Sequence, residues 1–386
     1  MKNQYTIVIL PGDGIGPEVI KQAVNLLEII NHHLGTNFSL INIPCGGKYY
    51  LEHGMEWPKT AFEKCQAADA ILLGAVGYEV NGKTIMTEPN KPYPQSQLAG
   101  YAAVIGNRQK LNLYANVRPV QLFAGIKHKI SNKFKLVWKP KNVDYVIVRE
   151  NTEDAYTGEF TRHPNEVITP IKISLEATEK VVRFAYRLTK KRNKYLKLTC
   201  ADKSNIIESH KYFREIFTEI GKKEFPEIKR DYAYADAFCQ WQIQQPELYD
   251  VVVAPNLIGD IISDNGAVSQ GGLGMAAGGN IGDEHAMFEP IHGSAPTLAG
   301  LNRANPIAAI LASRMMLEWL GDKNQDRRLN FAADCIEHAV KKVIRKKILT
   351  ADLIEAPHST TCDKVGDSIA SHLEQFLQKN RKGVFQ

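Results

Sequence analysis

Two aspartates four residues apart, Asp260 and Asp264, are the side chains of this sequence best suited to holding a metal ion. They lie in "GDIISD", shortly after the apolar run "VVVA". On a helix this spacing places both carboxylates on one face, where they repel each other unless a cation lies between them. Hard oxygen ligands suit Mg²⁺ or Mn²⁺. A solvated helix face would show the same spacing, so these residues alone leave both interpretations open.

Arginines and two proton-carrying side chains could complete such a site. Arg108, Arg118 and Arg149 fall at the ends of predicted α/β elements, where guanidinium groups could bind carboxylates through paired hydrogen bonds. Tyr156 follows one of these strands, and Lys203 follows another in "CADKSN". A lysine beside a divalent metal could act as a general base. Taken singly, each residue could equally be an ion-pair partner, a rim residue or solvent-exposed.

Two glycine-rich stretches raise the question of a nucleotide site. The turn "LPGDGIGPEV" (10–19) has the spacing G-x-G-x-G, and Pro17 replaces the third glycine of the dinucleotide fingerprint. The next predicted strand (38–43) also ends without the acidic residue that holds a ribose. We therefore predict a tight strand-to-helix turn here. The later loop "EPIHGSAPTLAG" (289–300) could wrap an adenosine through its backbone groups or be a plain connector.

Alternating strand and helix patterns must position these groups. The apolar and amphipathic periods predict a layered α/β domain whose first strands are parallel. Residues 78–98, rich in Pro, Asn, Gly and Lys, are predicted to be a long surface loop. The predicted strands are 5–10, 38–43, 68–77, 143–150, 195–202 and 249–256, and the predicted helices are 17–31, 59–67, 99–110 and 174–189, followed by a mostly helical region over 303–379.

Composition limits the kind of protein this can be. A chain of 386 residues exceeds the usual single-core size, so we expect two domains or one large α/β unit. No apolar run approaches the roughly 18 residues that span a membrane, and the beginning of the sequence shows no signal-peptide pattern.

A net charge of +6 suits a small anionic substrate, and the basic run 190–197 is better explained by a solvated helix end than by nucleic-acid binding. Six scattered cysteines without a C-x-x-C pair indicate free thiols in a reducing cytoplasm.

The ordered set of motifs resembles the β-decarboxylating dehydrogenases, the family of isocitrate and isopropylmalate dehydrogenases. The resemblance covers nearly the whole chain and is specific because the motifs occur in the family's order. The matching stretches are "GDGIGPE", "GAVG", an Arg-x9-Arg-Pro pattern, "VRENTEDAYTG", "ADKSN", "YADAFCQ", "NLIGDIISD" and "HGSAP" followed by "NP".

The resemblance implies an α/β fold that is an open α/β/α sandwich around a mixed sheet and is distinct from the Rossmann fold. It implies a discontinuous cofactor-binding domain of residues 1–113 with 266–386, and a smaller domain of residues 114–265 that carries the dimer interface. The active site would lie in the cleft between them. Family members are homodimers with shared sites, so Lys203 and Asp236 of one subunit would join Asp260 and Asp264 of the other.

The resemblance also assigns roles to individual side chains. Mg²⁺ or Mn²⁺ would be held by Asp236, Asp260 and Asp264, and Asp236 would also lie beside the substrate. The substrate, a small anionic 2-hydroxy acid, would be bound by Arg108, Arg118 and Arg149. Lys203 would take the hydroxyl proton, and Tyr156 would reprotonate the enolate carbon after CO₂ is lost. The adenosine of the cofactor would lie on His292, Gly293, Ser294, Ala295, Pro296 and Asn305.

The subgroups of this family differ at positions that select the cofactor and the substrate. NADP-dependent relatives place a Lys-Tyr pair where Thr297 and Leu298 stand, and a Tyr and an Arg where our register gives Ala351 and Glu355, so we expect NAD. NAD-dependent relatives, however, usually carry Asp at the position of Thr297.

Isocitrate enzymes carry Ser and Asn at the positions of Ala102 and Val104. An apolar pair there favours 3-isopropylmalate over a tricarboxylate. Isocitrate, homoisocitrate and tartrate or malate-type substrates are the alternatives within the family. A non-catalytic regulatory or binding subunit is the alternative of another class.

Overall fold

The apolar runs of the sequence form one large sheet with helices on both of its faces. The structure is a computed structural model that describes residue 2, residues 4–88 and residues 96–380. Within these residues the sheet has ten strands: β1 Tyr5–Gly12, β2 Phe38–Asn42, β3 Ala70–Ala75, β6 Ala115–Gln121, β9 Asp144–Glu150, β12 Lys197–Asp202, β13 Lys229–Tyr234, β14 Val251–Ala254, β15 Ala277–Ile281 and β16 Ala286–Pro290. The remaining strands form three small hairpins: β4 Glu79–Val80 with β5 Lys83–Thr84, β7 His128–Ile130 with β8 Lys133–Lys135, and β10 Thr161–His163 with β11 Glu166–Ile168.

Amphipathic helices cover this sheet. In α1, the buried residues recur at helical spacing and face the strands, as a core-facing stripe requires. The α-helices of the described residues are α1 Gly16–Leu34, α2 Gly47–His53, α3 Ala61–Ala67, α4 Asn107–Lys110, α5 Leu175–Arg192, α6 Glu208–Glu224, α7 Ala235–Gln244, α8 Asn256–Gln270, α9 Ile307–Asn324, α10 Arg327–Arg345 and α11 Cys362–Asn380.

The sheet is mixed. Its strand order is β13-β12-β14-β9-β6-β15-β16-β3-β1-β2. The predicted parallel pairing is confirmed for β1, β2 and β3. Antiparallel contacts occur in the middle, where β6 pairs with β9 and β15, and β15 pairs with β16. All six residues of β3 are buried, which explains its continuous apolar sequence.

The glycine-rich turn after β1 is a tight packing turn, as predicted. Gly12 and Gly14 have φ of 73° and 57°, a region that favours glycine. A Cβ on Gly12 would lie 1.9 Å from the carbonyl oxygen of Ala75 on β3. The amide of Ile15 donates to the carbonyl of Ser294 at 2.8 Å. The turn therefore holds the 289–300 loop against the start of α1.

Two local predictions need correction, and several helices were not predicted. The segment 78–98 is not simply a loop, because β4 and β5 form a hairpin within it; residues 89–95 lie outside the described residues. The helix predicted over 99–110 begins with a π-helical turn, Ala102–Gly106, and only then continues as α4. The helices α2, α6 and α7 were not predicted.

The division into two domains stays a prediction. Strands from residues 115–254 form one end of the sheet, and strands from residues 5–75 and 277–290 form the other. All six cysteines are free, and five of them are buried. Among the described residues, none of the helices has the length and apolarity to cross a membrane.

Candidate active site

Strands β6 and β9 and helix α8 bring two arginines, two aspartates and a tyrosine together. Arg149 Nη1 contacts Asp260 Oδ1. Arg118 Nη1 lies 3.4 Å from the same oxygen and 3.2 Å from Asp264 Oδ1. The Tyr156 hydroxyl donates to Asp260 Oδ2 at 2.6 Å. The i,i+4 aspartates of α8 therefore do share one face, and that face is turned toward the arginines.

The arginines are held in place by buried neighbours. Arg149 donates from Nε to Asn256 Oδ1 at 2.8 Å, and its guanidinium lies 4.9 Å from the ring centre of Tyr156. A Cβ on Gly259 would approach Arg149 to 2.6 Å, so α8 packs this closely only because it has glycine there. Arg118 is oriented by the Ser263 hydroxyl, which accepts at 2.6 Å. These contacts fix both positive charges before any ligand binds.

The cluster sets the positive charges of Arg118 and Arg149 against the negative charges of Asp260 and Asp264. Burial, followed by the charges of Arg118 and Arg108, lowers the pKa of Arg149 to about 10. Burial alone would raise the pKa of Asp260, but Arg149 and Arg118 bring it below its ordinary value. Clustered arginines favour a bound anion such as a carboxylate.

The pKa of Asp264 shifts in the opposite direction, which is relevant to metal binding. Burial raises the pKa of its carboxyl, and the nearby charge of Asp260 raises it further, against the opposing effect of Arg118. The charge of Arg118 does not fully offset the burial of the Asp264 carboxylate, so a further cation would stabilise its charged form. Its hard oxygen donors fit Mg²⁺ or Mn²⁺.

Arg108 lines a separate part of the site. Its Nη2 donates to Glu289 Oε1 at 2.7 Å, and its Nε is buried without a partner in the described part of the chain. Both residues line a cavity of about 240 Å³. The described residues around this cavity also include Arg118, His292 and Gly293, and the apolar Leu98, Tyr101, Val104 and Ile105. Of the two positions considered for substrate choice, Val104 lies on this wall, and Ala102 is not among its described residues.

Lys203 and Asp236 form a pair of their own. Lys203 Nζ lies 2.7 Å from Asp236 Oδ1, and this hydrogen bond is the main cause of the lowered pKa of Asp236. In the described part of one chain, no cluster of three or more His, Cys, Asp or Glu side chains could hold a metal. One chain thus brings together Asp260 and Asp264, and it leaves Asp236 with Lys203.

The predicted adenosine loop borders a second cavity, of about 320 Å³. His292 and Asn305 line it, together with Ile15 from the glycine-rich turn and Asp352. Asn305 Nδ2 donates to Asp352 Oδ2 at 3.0 Å. His292 is largely buried, which lowers the pKa of its imidazole. Gly293, Ser294, Ala295 and Pro296 form the loop between them, and Pro296 begins a short 3₁₀ turn.

Sequence reasoning missed several supporting residues. Ser263 lies inside "GDIISD" and could have been noticed there, since a hydroxyl between two aspartates on a helix is a possible orienting group. Glu289 begins the stretch that was quoted for His292, but its pairing with Arg108 spans 181 residues and has no local signal. Asn116, whose side-chain oxygen accepts from Arg118 Nε at 3.2 Å, was also missed.

Comparison with known proteins identifies the family of the chain. The family model for isocitrate/isopropylmalate dehydrogenases matches residues 6–369. The 3-isopropylmalate dehydrogenase of Carboxydothermus hydrogenoformans is 38% identical over 379 residues, which cover 96% of each chain. The homoisocitrate dehydrogenase of Methanocaldococcus jannaschii is 35% identical over 374 residues, covering 96% of this chain and 99% of the relative.

A solved structure extends the likeness to three dimensions. The crystal structure of isocitrate dehydrogenase from Methylococcus capsulatus superposes with a TM-score of 0.80 at 32% identity, covering 96% of this chain and 100% of that chain. The ordered motifs, the mixed sheet and the clustered arginines and aspartates are thus accompanied by similarity over nearly the full length. The chain belongs to the isocitrate/isopropylmalate dehydrogenase family.

Proposed function

We propose that this protein catalyses the metal- and NAD-dependent oxidative decarboxylation of a 3-alkylmalate, with 3-isopropylmalate as the favoured substrate. The observation that carries the proposal is the cluster in which Asp260 and Asp264 face Arg118 and Arg149. This cluster places metal-type oxygen donors directly beside carboxylate-binding guanidinium groups. The relatives named 3-isopropylmalate dehydrogenase support the same reaction class.

Mg²⁺ or Mn²⁺ held by Asp260, Asp264 and the partner's Asp236 would polarise the substrate hydroxyl and stabilise negative charge that develops on its oxygen. NAD on the His292–Pro296 loop and Asn305 would accept the hydride. The chain's own residues provide binding and proton transfer. The three arginines bind the carboxylates and fix their orientation, which lowers the entropic part of the barrier.

In this proposal proton transfer falls to Tyr156 and Lys203, which contact Asp260 and Asp236 respectively. The Tyr156 hydroxyl, whose pKa is raised by burial and by its hydrogen bond to Asp260, is a protonated donor at neutral pH. It can therefore deliver a proton to the substrate carbon after CO₂ leaves. Lys203 would take the hydroxyl proton from a site completed by a second subunit.

We propose a homodimer as the working form, because the described residues of one chain do not bring Asp236 together with Asp260 and Asp264. Large apolar side chains on α7 and α8 support this proposal. Trp241, Ile261 and Val268 are 44%, 54% and 40% exposed in the single chain. Exposed apolar side chains grouped on neighbouring helices are typical of protein interfaces. A second copy that covers them would bring its Lys203–Asp236 pair toward this chain's α8.

The substrate preference rests on the apolar wall of the cavity at Arg108. Leu98, Val104 and Ile105 form its apolar side and carry no group that could pair with a third carboxylate, whereas the polar groups of Arg108, Arg118 and His292 lie elsewhere in its lining. Burying an unpaired carboxylate there would be costly, whereas a branched alkyl group gains from the same contacts. The NAD preference rests on Thr297, Leu298 and Ala351, which lack the Lys, Tyr and Tyr side chains of NADP-dependent relatives at these positions; in the described part of the chain, the cations of the cavity at His292 and Asn305 are Lys129 and Arg303. Five buried thiols fit a cytoplasmic location, which we also propose.

The test is a kinetic comparison of the purified enzyme with Mn²⁺. NADH and NADPH formation are followed on 3-isopropylmalate, isocitrate, homoisocitrate and tartrate. We expect the highest kcat/KM with 3-isopropylmalate and NAD. A higher kcat/KM on isocitrate or homoisocitrate would show that another group meets the third carboxylate, and inactivity on all four would favour a non-catalytic subunit.

A further inference from the structure

Arg214 on α6 connects the two strand ends that carry Lys203 and Asp236. Strands β12 and β13 are parallel neighbours whose last residues, Asp202 and Tyr234, are paired in register. Arg214 donates from Nε and Nη2 to the two carboxylate oxygens of Asp202, at 2.8 and 2.9 Å. Its Nη2 also lies 3.4 Å from the carbonyl oxygen of Ala233. One guanidinium group therefore contacts the ends of both strands.

Asp202, which Arg214 binds, and His210 accept hydrogen bonds from the backbone around Lys203. Asp202 Oδ1 accepts a hydrogen bond from the amide of Ser204 at 2.8 Å. The amide of Lys203 donates to Nδ1 of His210, another α6 residue, at 3.1 Å. Both amides at the turn after β12 are thus fixed by side chains attached to, or bound by, α6.

The same guanidinium supports the approach to Asp236. Arg214 Cζ lies 5.0 Å from the ring centre of Tyr234, which immediately precedes α7 and Asp236. A stacked guanidinium restricts the ring and the backbone that carries it. The 2.7 Å contact between Lys203 and Asp236 depends on both strand ends keeping their relative positions.

Charge and burial explain why an arginine is needed here. The Asp202 side chain is fully buried, and Arg214 supplies its compensating positive charge. A lysine could neutralise the charge, but it lacks the planar fork that binds two oxygens at once and stacks on an aromatic ring. Replacing the guanidinium of Arg214 by an ammonium group would therefore loosen the orientation of Asp202 while a positive charge remains beside it.

We propose that Arg214 is a positioning residue that sets the geometry of the Lys203–Asp236 pair through Asp202 and Tyr234. The inference rests on the proposed function, in which this pair supplies the proton acceptor and a metal ligand to the partner's site. Positioning of this kind matters because small displacements of reacting groups cost large factors in rate.

The chain contains a closely matched control. Arg192, at the end of α5, contacts Asp250 with Nε to Oδ1 at 3.0 Å, and Asp250 is also fully buried. Both arginines have side chains that are 21% exposed. Asp250 precedes β14, whereas Asp202 ends the neighbouring parallel strand β12. The two ion pairs therefore lie at opposite ends of these strands. Arg192 should share the structural cost of substitution without the effect on Lys203.

The experiment compares Arg214→Lys with Arg192→Lys in the full-length enzyme. We expect similar decreases in thermal unfolding temperature. We expect kcat to fall about 10- to 100-fold only in Arg214→Lys, the range seen when a group that orients a metal ligand is removed. The KM for NAD should stay unchanged, and the Mn²⁺ dissociation constant should rise only in Arg214→Lys. Equal kcat in the two variants would overturn the proposal.

Hydrogen exchange separates this proposal from the proposed function, because it requires no substrate. The amides of Lys203 and Ser204 should exchange faster in Arg214→Lys than in wild type or Arg192→Lys. Unchanged exchange at both amides would refute the positioning role whatever reaction the enzyme catalyses. Should Arg214→Lys fail to fold, the double variant Asp202→Asn/Arg214→Gln, which removes both charges together, is compared in the same way.

Discussion

In the proposed reaction, the arginines and aspartates of the cluster bind charged groups and Tyr156 donates a proton. Asp260 contacts Arg149, Arg118 and the Tyr156 hydroxyl, whereas Asp264 contacts Arg118. Burial raises the pKa of Asp264 despite the opposing charge of Arg118, whereas at Asp260 the charges of Arg149 and Arg118 outweigh burial and lower the pKa. Asp264 therefore has the stronger need of a further cation.

Replacing Asp264 should weaken metal binding while Asp260 keeps its contacts with Arg118 and Arg149. We expect Asp264→Asn to raise the Mn²⁺ dissociation constant at least about tenfold, since the lost ligand should matter no less than an outer-shell group. Calorimetric titration with Mn²⁺ measures this directly. Asp367→Asn, on the exposed face of α11, is the control and should bind Mn²⁺ as wild type does. Equal affinities of the two variants would remove Asp264 from the metal site.

Tyr156 should be required for turnover more than for binding. In Tyr156→Phe the ring that stacks on Arg149 is retained and only the proton donor is lost. We expect kcat to fall about 10²- to 10⁴-fold, the usual contribution of a positioned general acid, with the KM for substrate changed little. Tyr212→Phe, at an exposed position of α6, should keep wild-type kcat. A proportional rise in KM with unchanged kcat would instead assign Tyr156 to substrate binding.

Helices and strands were predictable where the signal is local. The i,i+4 spacing in α8 placed Asp260 and Asp264 on one face, because helical periodicity fixes that relation without knowledge of the fold. The hairpin of β4 and β5 was also encoded locally. Asn81 and Gly82 have φ of 53° and 72°, and Asn-Gly is a strong hairpin signal that the loop prediction for 78–98 overlooked.

Other features depend on contacts between distant parts of the chain. Arg118 and Arg149 meet because β6 and β9 are antiparallel neighbours, with Asn116 opposite Arg149. Neither strand carries a residue pattern that specifies the other as its partner. The π-helical turn at Ala102–Gly106 depends on a local slip of backbone hydrogen bonds, and side-chain periodicity does not report it.

Asp326 connects the first strand to a C-terminal helix and should contribute to acid sensitivity. It caps α10 by accepting from the amide of Arg328, and it accepts from the Tyr5 hydroxyl at 3.0 Å. Burial alone would raise the pKa of Asp326, but hydrogen bonds from Arg328 and Tyr5 bring it below its ordinary value of 3.8. A carboxyl whose pKa is lowered by folding stabilises the native state above that ordinary value, and this stabilisation is lost as the pH falls through the folded-state pKa.

Asp326→Asn should therefore be less stable than wild type at pH near 7, by about 1–3 kcal/mol for a disrupted buried hydrogen-bonded group. The difference in thermal unfolding temperature between wild type and variant should narrow as the pH is lowered below about 4. Asp367→Asn, an exposed site, should follow the wild-type pH dependence. A constant difference between Asp326→Asn and wild type over this pH range would contradict the assignment.

Among the described residues of one chain, the three proposed metal ligands do not form one cluster, and the proposed dimer with shared sites would account for this. Lys203 and Asp236 lie together on one part of the chain, and Asp260 and Asp264 lie together on another. In a twofold dimer, the same pair of surfaces meets twice, so each site takes residues from both subunits.

Mixed dimers of two inactive variants test this sharing. Lys203→Met and Asp264→Asn are each expected to be inactive alone. If the two residues of one site come from different subunits, a mixed dimer has one site with both substitutions and one wild-type site. Random re-association of equal amounts should therefore restore about a quarter of wild-type activity. If no activity is recovered, Lys203 and Asp264 of the same chain belong to one site.

Equimolar formation of NADH and CO₂ from 3-isopropylmalate is the measurement that tests the central claim most directly. With Mn²⁺ present, we predict that each NADH is accompanied by one CO₂ and that chelation of the metal stops both. NADH without CO₂ would show a simple alcohol oxidation and contradict oxidative decarboxylation. NADH and CO₂ formation that continues in excess chelator would contradict the role assigned to Asp260 and Asp264.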